Sequence, residues 1–244
     1  MKLFTSNLTN GDVAPVSIKK IYNLVGQSNT DGRGELSGLP VELQGVIPNC
    51  LVWWNDEWQP LEAGVNASLA LKVGFIINFA YLIQEANPNE THYFHIAAVG
   101  GTNIDYWSYP SGVGYINGFN SYRKAYLSLP DFKLQGFWWL QGESDGLTEP
   151  LALAYENKEI QLITDYKREY NASQIPWHTI NIGNVTAGGV PFADTVRQGK
   201  INNNTNNIYQ GYYDAYNEPL RVGDEQHFTT AAEISIGEEC FNML

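Results

Sequence analysis

Asp224 and His227 stand three residues apart near the C-terminus, in Asp224-Glu225-Gln226-His227. Across a turn, that spacing sets a carboxylate against one imidazole nitrogen and leaves the other free, the orienter and base that a serine nucleophile needs. The chain has only four histidines, His92, His95, His178 and His227, and only His227 has a carboxylate at this spacing on a loop. His92 and His95 fall three apart on a strand, so they face opposite sides and make no chelating pair. His178 reads as a packed strand residue. A histidine at a helix start with no chemical role also fits His227.

Two serines compete for the nucleophile. Gly26-Gln27-Ser28-Asn29 follows the apolar run Ile21 to Val25, and a glycine there lets the chain turn sharply enough to present the Ser28 hydroxyl and its own N–H. Taken alone, the tetrapeptide also fits a plain turn. Gly142-Glu143-Ser144-Asp145-Gly146 matches the G-x-S-x-G elbow of an α/β-hydrolase, follows a strand and precedes an Asp and a His. An elbow needs its helix to start directly after the serine. Here Gly146-Leu147-Thr148-Glu149-Pro150 intervenes, which ranks Ser144 below Ser28. Val99-Gly100-Gly101-Thr102 offers backbone N–H groups to an oxyanion, or is simple turn chemistry.

The elements that must carry these residues alternate. Strands are predicted at Ile21–Val25, His92–Val99, Phe137–Leu140, His178–Ile182 and Ile208–Tyr213. Helices are predicted at Ala67–Gln84, Ser121–Leu129, Pro150–Tyr170 and Thr229–Met243, with Leu151, Tyr155, Ile160, Ile163 and Tyr166 near one face of the longest. Cys50–Leu61 reads as an aromatic hairpin or loop outside the main sheet, and Asn202–Asn207 as a loop. Strands separated by helices imply a parallel sheet covered on both faces, with the ligand site at the carboxyl ends of the strands. Three of those ends carry the Gly-plus-polar blocks above.

Composition narrows the function. With 244 residues, 43% of them hydrophobic, the chain can bury a core without disulfide or metal staples, and one domain over 1–244 is expected. A formal charge of -12 would repel a phosphate backbone or an anionic bilayer, so neither nucleic acid nor membrane is an expected partner. Cys50 and Cys240 lie far apart and in no CxxC spacing; a single bridge between them stays open. Met1 to Lys20 shows neither a charged n-region nor an apolar h-region, so no signal peptide is expected. Oligomeric state and compartment are left open, action outside the cell or on a virion included.

Together, Gly26 to Asn29, Gly100 to Trp107, Gln141 to Asp145 and Asp224 to Phe228 resemble, in order and across most of the chain, the motif blocks of the SGNH hydrolase superfamily. Within it the match is to the sialic-acid acetylesterase and carbohydrate esterase family six group. The resemblance implies an α/β fold, a three-layer α/β/α flavodoxin-like arrangement with a parallel central sheet of about five strands. It also implies removal of acetyl groups from a carbohydrate through an acyl-enzyme, with no metal or organic cofactor. By the match, Ser28 is the nucleophile, His227 the base and Asp224 its orienter. The oxyanion hole is expected from the N–H groups of Ser28 and Gly101, with Gly100 as the alternative, and from the Gln141 side-chain amide. Gln27, Asn29, Trp107 and Glu143 are expected near the substrate, and Glu143 and Asp145 to hold the loop or line the pocket. Trp54, Trp58, Tyr106, Trp107, Tyr109 and Tyr115 are candidates for stacking on sugars, or for packing. A non-catalytic glycan-binding module on the same fold, and an α/β-hydrolase using Ser144, are the alternatives.

Overall fold

The computed structural model describes residues 18–244, so most of the N-terminal stretch read for a leader lies outside the described residues. In chain order the elements are β1 (Lys19–Gly26), α1 (Ser28–Asp31), β2 (Gly34–Glu35), β3 (Val46–Trp54), β4 (Glu57–Glu62), β5 (Lys72–Val73), α2 (Ile76–Ala86), β6 (His92–Ala98) and α3 (Val113–Leu127). They continue with β7 (Phe132–Leu140), α4 (Glu149–Glu169), β8 (Trp177–Asn181), α5 (Ala193–Thr205), β9 (Gly211–Asp214), β10 (Leu220–Arg221), β11 (Asp224–Phe228) and α6 (Thr230–Asn242).

One sheet of seven strands runs in the order β4-β3-β6-β1-β7-β8-β9, parallel throughout except for β4. Its five strands β6-β1-β7-β8-β9, numbered along the chain, have the 2-1-3-4-5 order of flavodoxin-like folds. Strand β1 is central and buried on both faces, which is why it reads as an apolar run rather than an alternation. Tyr22 and Leu24 point into a core closed by α2 and α6, while Ile21 and Val25 point into a second core closed by α3, α4 and α5. The three layers follow from those two cores.

The sheet is wider than the expected five strands. Cys50–Leu61 does form a hairpin, but β3 lies parallel beside β6, pairing Cys50 with His92 through Trp53 with His95. A two-stranded hairpin cannot bury its own apolar face, and Cys50, Val52 and Trp53 gain burial by joining the sheet. Helix α2 starts at Ile76, not Ala67, because Ser68 donates its backbone N–H and its hydroxyl to Asp31, a side-chain interaction that competes with helix formation. Helix α3 starts eight residues before Ser121. Gly114 and Gly118 weaken its propensity, yet they let it lie close on Tyr106, Trp107 and Ala97. Asn202–Thr205, expected in a loop, form the last turn of α5, where Asn202 and Asn203 donate to Glu156 and Glu159 of α4. Cys50 and Cys240 are both buried free thiols.

The register levels the strand ends. Gly26 pairs with Ala98 on one side and Leu140 on the other, so the loops leaving β1, β6 and β7 emerge side by side with Ser28, Gly100 and Gln141. The β10–β11 hairpin, followed by α6 capped by Thr229, brings Asp224 and His227 to the same rim.

Candidate active site

Gly26 is required where it stands: a Cβ there would lie 2.1 Å from the Leu140 carbonyl oxygen and 2.2 Å from Thr30 Oγ1. The chain turns at that point into α1, whose first residue is Ser28, and the first N–H groups of a helical turn have no partner within it. Ser28 Oγ lies 2.8 Å from His227 Nε2, and His227 Nδ1 lies 2.8 Å and 3.0 Å from the two Asp224 carboxylate oxygens. A carboxylate only accepts, so the neutral ring carries its proton on Nδ1, and Nε2 is left to accept from the Ser28 hydroxyl. This is the geometry needed to raise the nucleophilicity of a serine oxygen. The other three histidines are buried in the strands; burial pushes His95 down to about 3 and His178 down to about 4, and lowers His92. They are neutral packing residues, and His178 stacks on Trp138. The Asp224–His227 pair sits on strand β11 rather than on a loop.

The remaining motif residues wire the loops together. Gln27 Oε1 accepts from Gln141 Nε2 at 3.2 Å and from the backbone N–H of Gly142 at 3.4 Å. Asn29 donates to Glu143 and to the Gln226 carbonyl at 3.1 Å, and accepts from the Phe228 N–H at 3.3 Å, which clasps the strand on either side of His227. Asp145 accepts from Ile104 N–H at 3.0 Å and from Gln141 Nε2 at 2.6 Å. Burial pushes the Asp145 carboxyl up to about 6 and raises that of Glu143, whose Oε2 has no hydrogen-bond partner among the described residues. Gln27, Asn29 and Glu143, expected near the substrate, are buried in this network, beside an almost equally buried Ser28.

Two further candidates are buried. Gln141 is fully buried, and its Nε2 already donates to Thr102 O (2.9 Å) and Asp145 Oδ2, which ties the loop after β6 to the loop after β7. Accordingly, Gln141→Ala should lower stability by about 1–3 kcal/mol, through the buried acceptors it strands, together with kcat. A fall in kcat at unchanged Tm would return Gln141 to the role of direct donor. Trp107 is 1% exposed, donates to Thr102 Oγ1 at 3.0 Å and packs edge-on to Trp139, so no sugar face reaches it. Tyr115 is likewise buried, Trp58 packs on Trp53 and Tyr93, and the exposed Tyr109 ring has Arg168 over one face.

Gly100 is the glycine beside the serine. A Cβ on it would lie 3.4 Å from Ser28 Cβ and 3.1 Å from Arg33 Nη2, whereas Gly101, at φ 72°, has open space around it. Ser144 sits before a single 3₁₀ turn (Asp145–Leu147), and α4 begins only at Glu149, so no elbow forms. Arg33 and Arg221 went unnoticed in the sequence. Arg33 Nη1 pairs with Asp31 at 2.5 Å, and Arg221 Nη1 with Asp224 at 3.0 Å. Arg221 shares a hairpin with Asp224, and the Val222-Gly223 turn between them was the available signal.

Comparison with known proteins agrees with this frame. A protein of Arabidopsis thaliana matches with a TM-score of 0.77 and 22% identity, over 92% of this chain and 97% of its own. NanS matches with 0.70 and 16%, over 93% and 96%. A carbohydrate acetylesterase from Xanthomonas citri matches with 0.65 and 16%, over 91% of this chain and 55% of its own. These likenesses show the fold, which GDSL-type hydrolases share. No curated protein matches the chain in sequence. Residues 18–244 match the family described as carbohydrate esterase, sialic acid-specific acetylesterase, and the chain therefore belongs to that family of serine ester hydrolases.

Proposed function

We propose that the protein removes O-acetyl groups from a carbohydrate by a Ser-His-Asp mechanism. The observation that carries the reading is the unbroken line Asp224–His227–Ser28 at the rim where the strand ends converge. Ser28 Oγ attacks the ester carbonyl while His227 Nε2 takes the hydroxyl proton, and the developing oxyanion is met by the N–H of Ser28 and of the Gly100–Gly101 turn. The tetrahedral intermediate collapses, the sugar oxygen leaves with the proton returned from His227, and the acetyl group stays on Ser28. Water, deprotonated by the same imidazole, then releases acetate and restores the serine. Asp224 keeps the imidazole proton on Nδ1 and stabilises the imidazolium that forms.

The test is acetate release from a panel of acetylated xylan, O-acetylated sialic acid and p-nitrophenyl esters. Acetate release from a carbohydrate is expected, with acetyl turned over faster than octanoyl. Faster octanoate turnover would count against a carbohydrate deacetylase, and release from none by folded protein would favour a glycan-binding module.

A further inference from the structure

We propose that Arg221 is a positioning residue for the Asp224 carboxylate; the proposal rests on the triad reading above. The Asp224 side chain is 36% exposed. Contact with His227 alone would leave it a solvent-facing rotamer to lose. Its Oδ2 receives two donors, His227 Nδ1 at 3.0 Å and Arg221 Nη1 at 3.0 Å, while Oδ1 faces Nδ1 at 2.8 Å. The guanidinium therefore gives the carboxylate a second anchor, on the oxygen it shares with the imidazole.

Arg221 is in turn fixed by geometry outside the hairpin. Its Nη2 donates to Glu35 Oε1 at 3.1 Å, and Lys72 Nζ reaches the same oxygen. The β2–β5 register sets Glu35 opposite Lys72, and Lys72 holds the Glu35 carboxyl below its ordinary range. The Glu35 backbone is pinned at both ends to Thr230 of α6: its N–H donates to Thr230 Oγ1 at 2.7 Å, and its carbonyl accepts from that hydroxyl at 2.9 Å. The result is a line of alternating charge, Lys72, Glu35, Arg221, Asp224, ending at His227 and Ser28. It joins the segment after α1 to the strand that carries the base. Exposed ion pairs add little to stability, so the consequence of this one is expected in turnover rather than in folding.

The test is a double-mutant cycle on the full chain with p-nitrophenyl acetate. Arg221→Ala is expected to lower kcat about 10- to 100-fold by letting the carboxylate drift, with KM nearly unchanged and the melting temperature preserved. Arg221→Lys should recover part of the loss. In an Asp224→Ala background, Arg221→Ala should change kcat by less than about 2-fold, because a residue acting through the Asp224 side chain has nothing left to act on. Full kcat in Arg221→Ala, or the same fractional loss in both backgrounds, would overturn the proposal and leave the triad standing. The His227 Nδ1 proton gives a readout independent of turnover: a protected downfield NMR signal in the wild type that is lost to exchange in Arg221→Ala and kept in Arg221→Lys. An unchanged signal in Arg221→Ala overturns the proposal whether or not any ester is hydrolysed.

Discussion

Ser28→Ala is expected to reduce p-nitrophenyl acetate hydrolysis by on the order of 10⁶-fold, while Ser144→Ala keeps most of the wild-type rate. The contrast follows from where the two hydroxyls stand. Of the two, Ser28 has its oxygen against an imidazole, at 2.8 Å, on a turn that Gly26 makes possible. Ser144 follows Glu143 in the loop after β7, its N–H directed toward Gln27 Oε1 at 3.5 Å. Removing the Ser28 hydroxyl leaves an Ala of nearly the same volume in a nearly buried position, so the fold should persist; matched melting curves would check this. Retained activity in Ser28→Ala with loss in Ser144→Ala would reverse the assignment.

Asp224→Asn should slow turnover by roughly 10⁴-fold in a folded protein, as a wrong-tautomer histidine does in another serine hydrolase. The neighbours of the carboxylate show why. Arg221 can only donate, so the amide oxygen of the asparagine would turn to it and the NH₂ would face His227 Nδ1. The imidazole would then accept at Nδ1 and carry its proton on Nε2, pointed at Ser28 Oγ, where it can take no proton from the hydroxyl. Steady-state kcat and KM, with His227→Ala as the equal or worse comparison, check this. Near-normal turnover would remove Asp224 from the role. Among the described residues Asp224 is the carboxylate that bonds His227, while Glu143 is engaged by Asn29 and Asp145 by Gln141 and Ile104.

The candidate site was legible from the sequence where chemistry restricts residue type. His227 has a carboxylate three positions back, and Ser28 follows a glycine at a strand end; both signals are local, and both sit in the site as read. The central strands were legible for the same kind of reason, since Ile21–Val25 of β1 and Phe137–Leu140 of β7 are short, largely apolar runs ending in Gly or polar residues. What failed depended on contacts distant in sequence. The β3–β4 hairpin joins the sheet only because β6 offers an edge, and α3 runs through Gly114 and Gly118 only because Tyr106, Trp107 and Ala97 are there to pack against. The Asn-rich end of α5 is helical because α4 supplies acceptors 44 to 47 residues away.

The motif polar residues show the same limit. Gln27, Asn29, Gln141 and Glu143 are of types that bind sugars well, and nothing in their spacing says whether they face outward to a ligand or inward to each other. The structure turns them inward. Trp107 carried the same ambiguity, and its indole N–H, satisfied by Thr102, resolves it toward the core.

The Ser-His-Asp mechanism requires that Ser28 become acylated. Brief reaction of the full chain with p-nitrophenyl acetate, acid quench and peptide mass analysis should find one acetyl group on the peptide containing Ser28, with the label absent after Ser28→Ala. Acetyl on the Ser144 peptide, or rapid wild-type turnover with no acyl-enzyme on Ser28 at any quench time and no labelling of Ser28 by a fluorophosphonate, would contradict it.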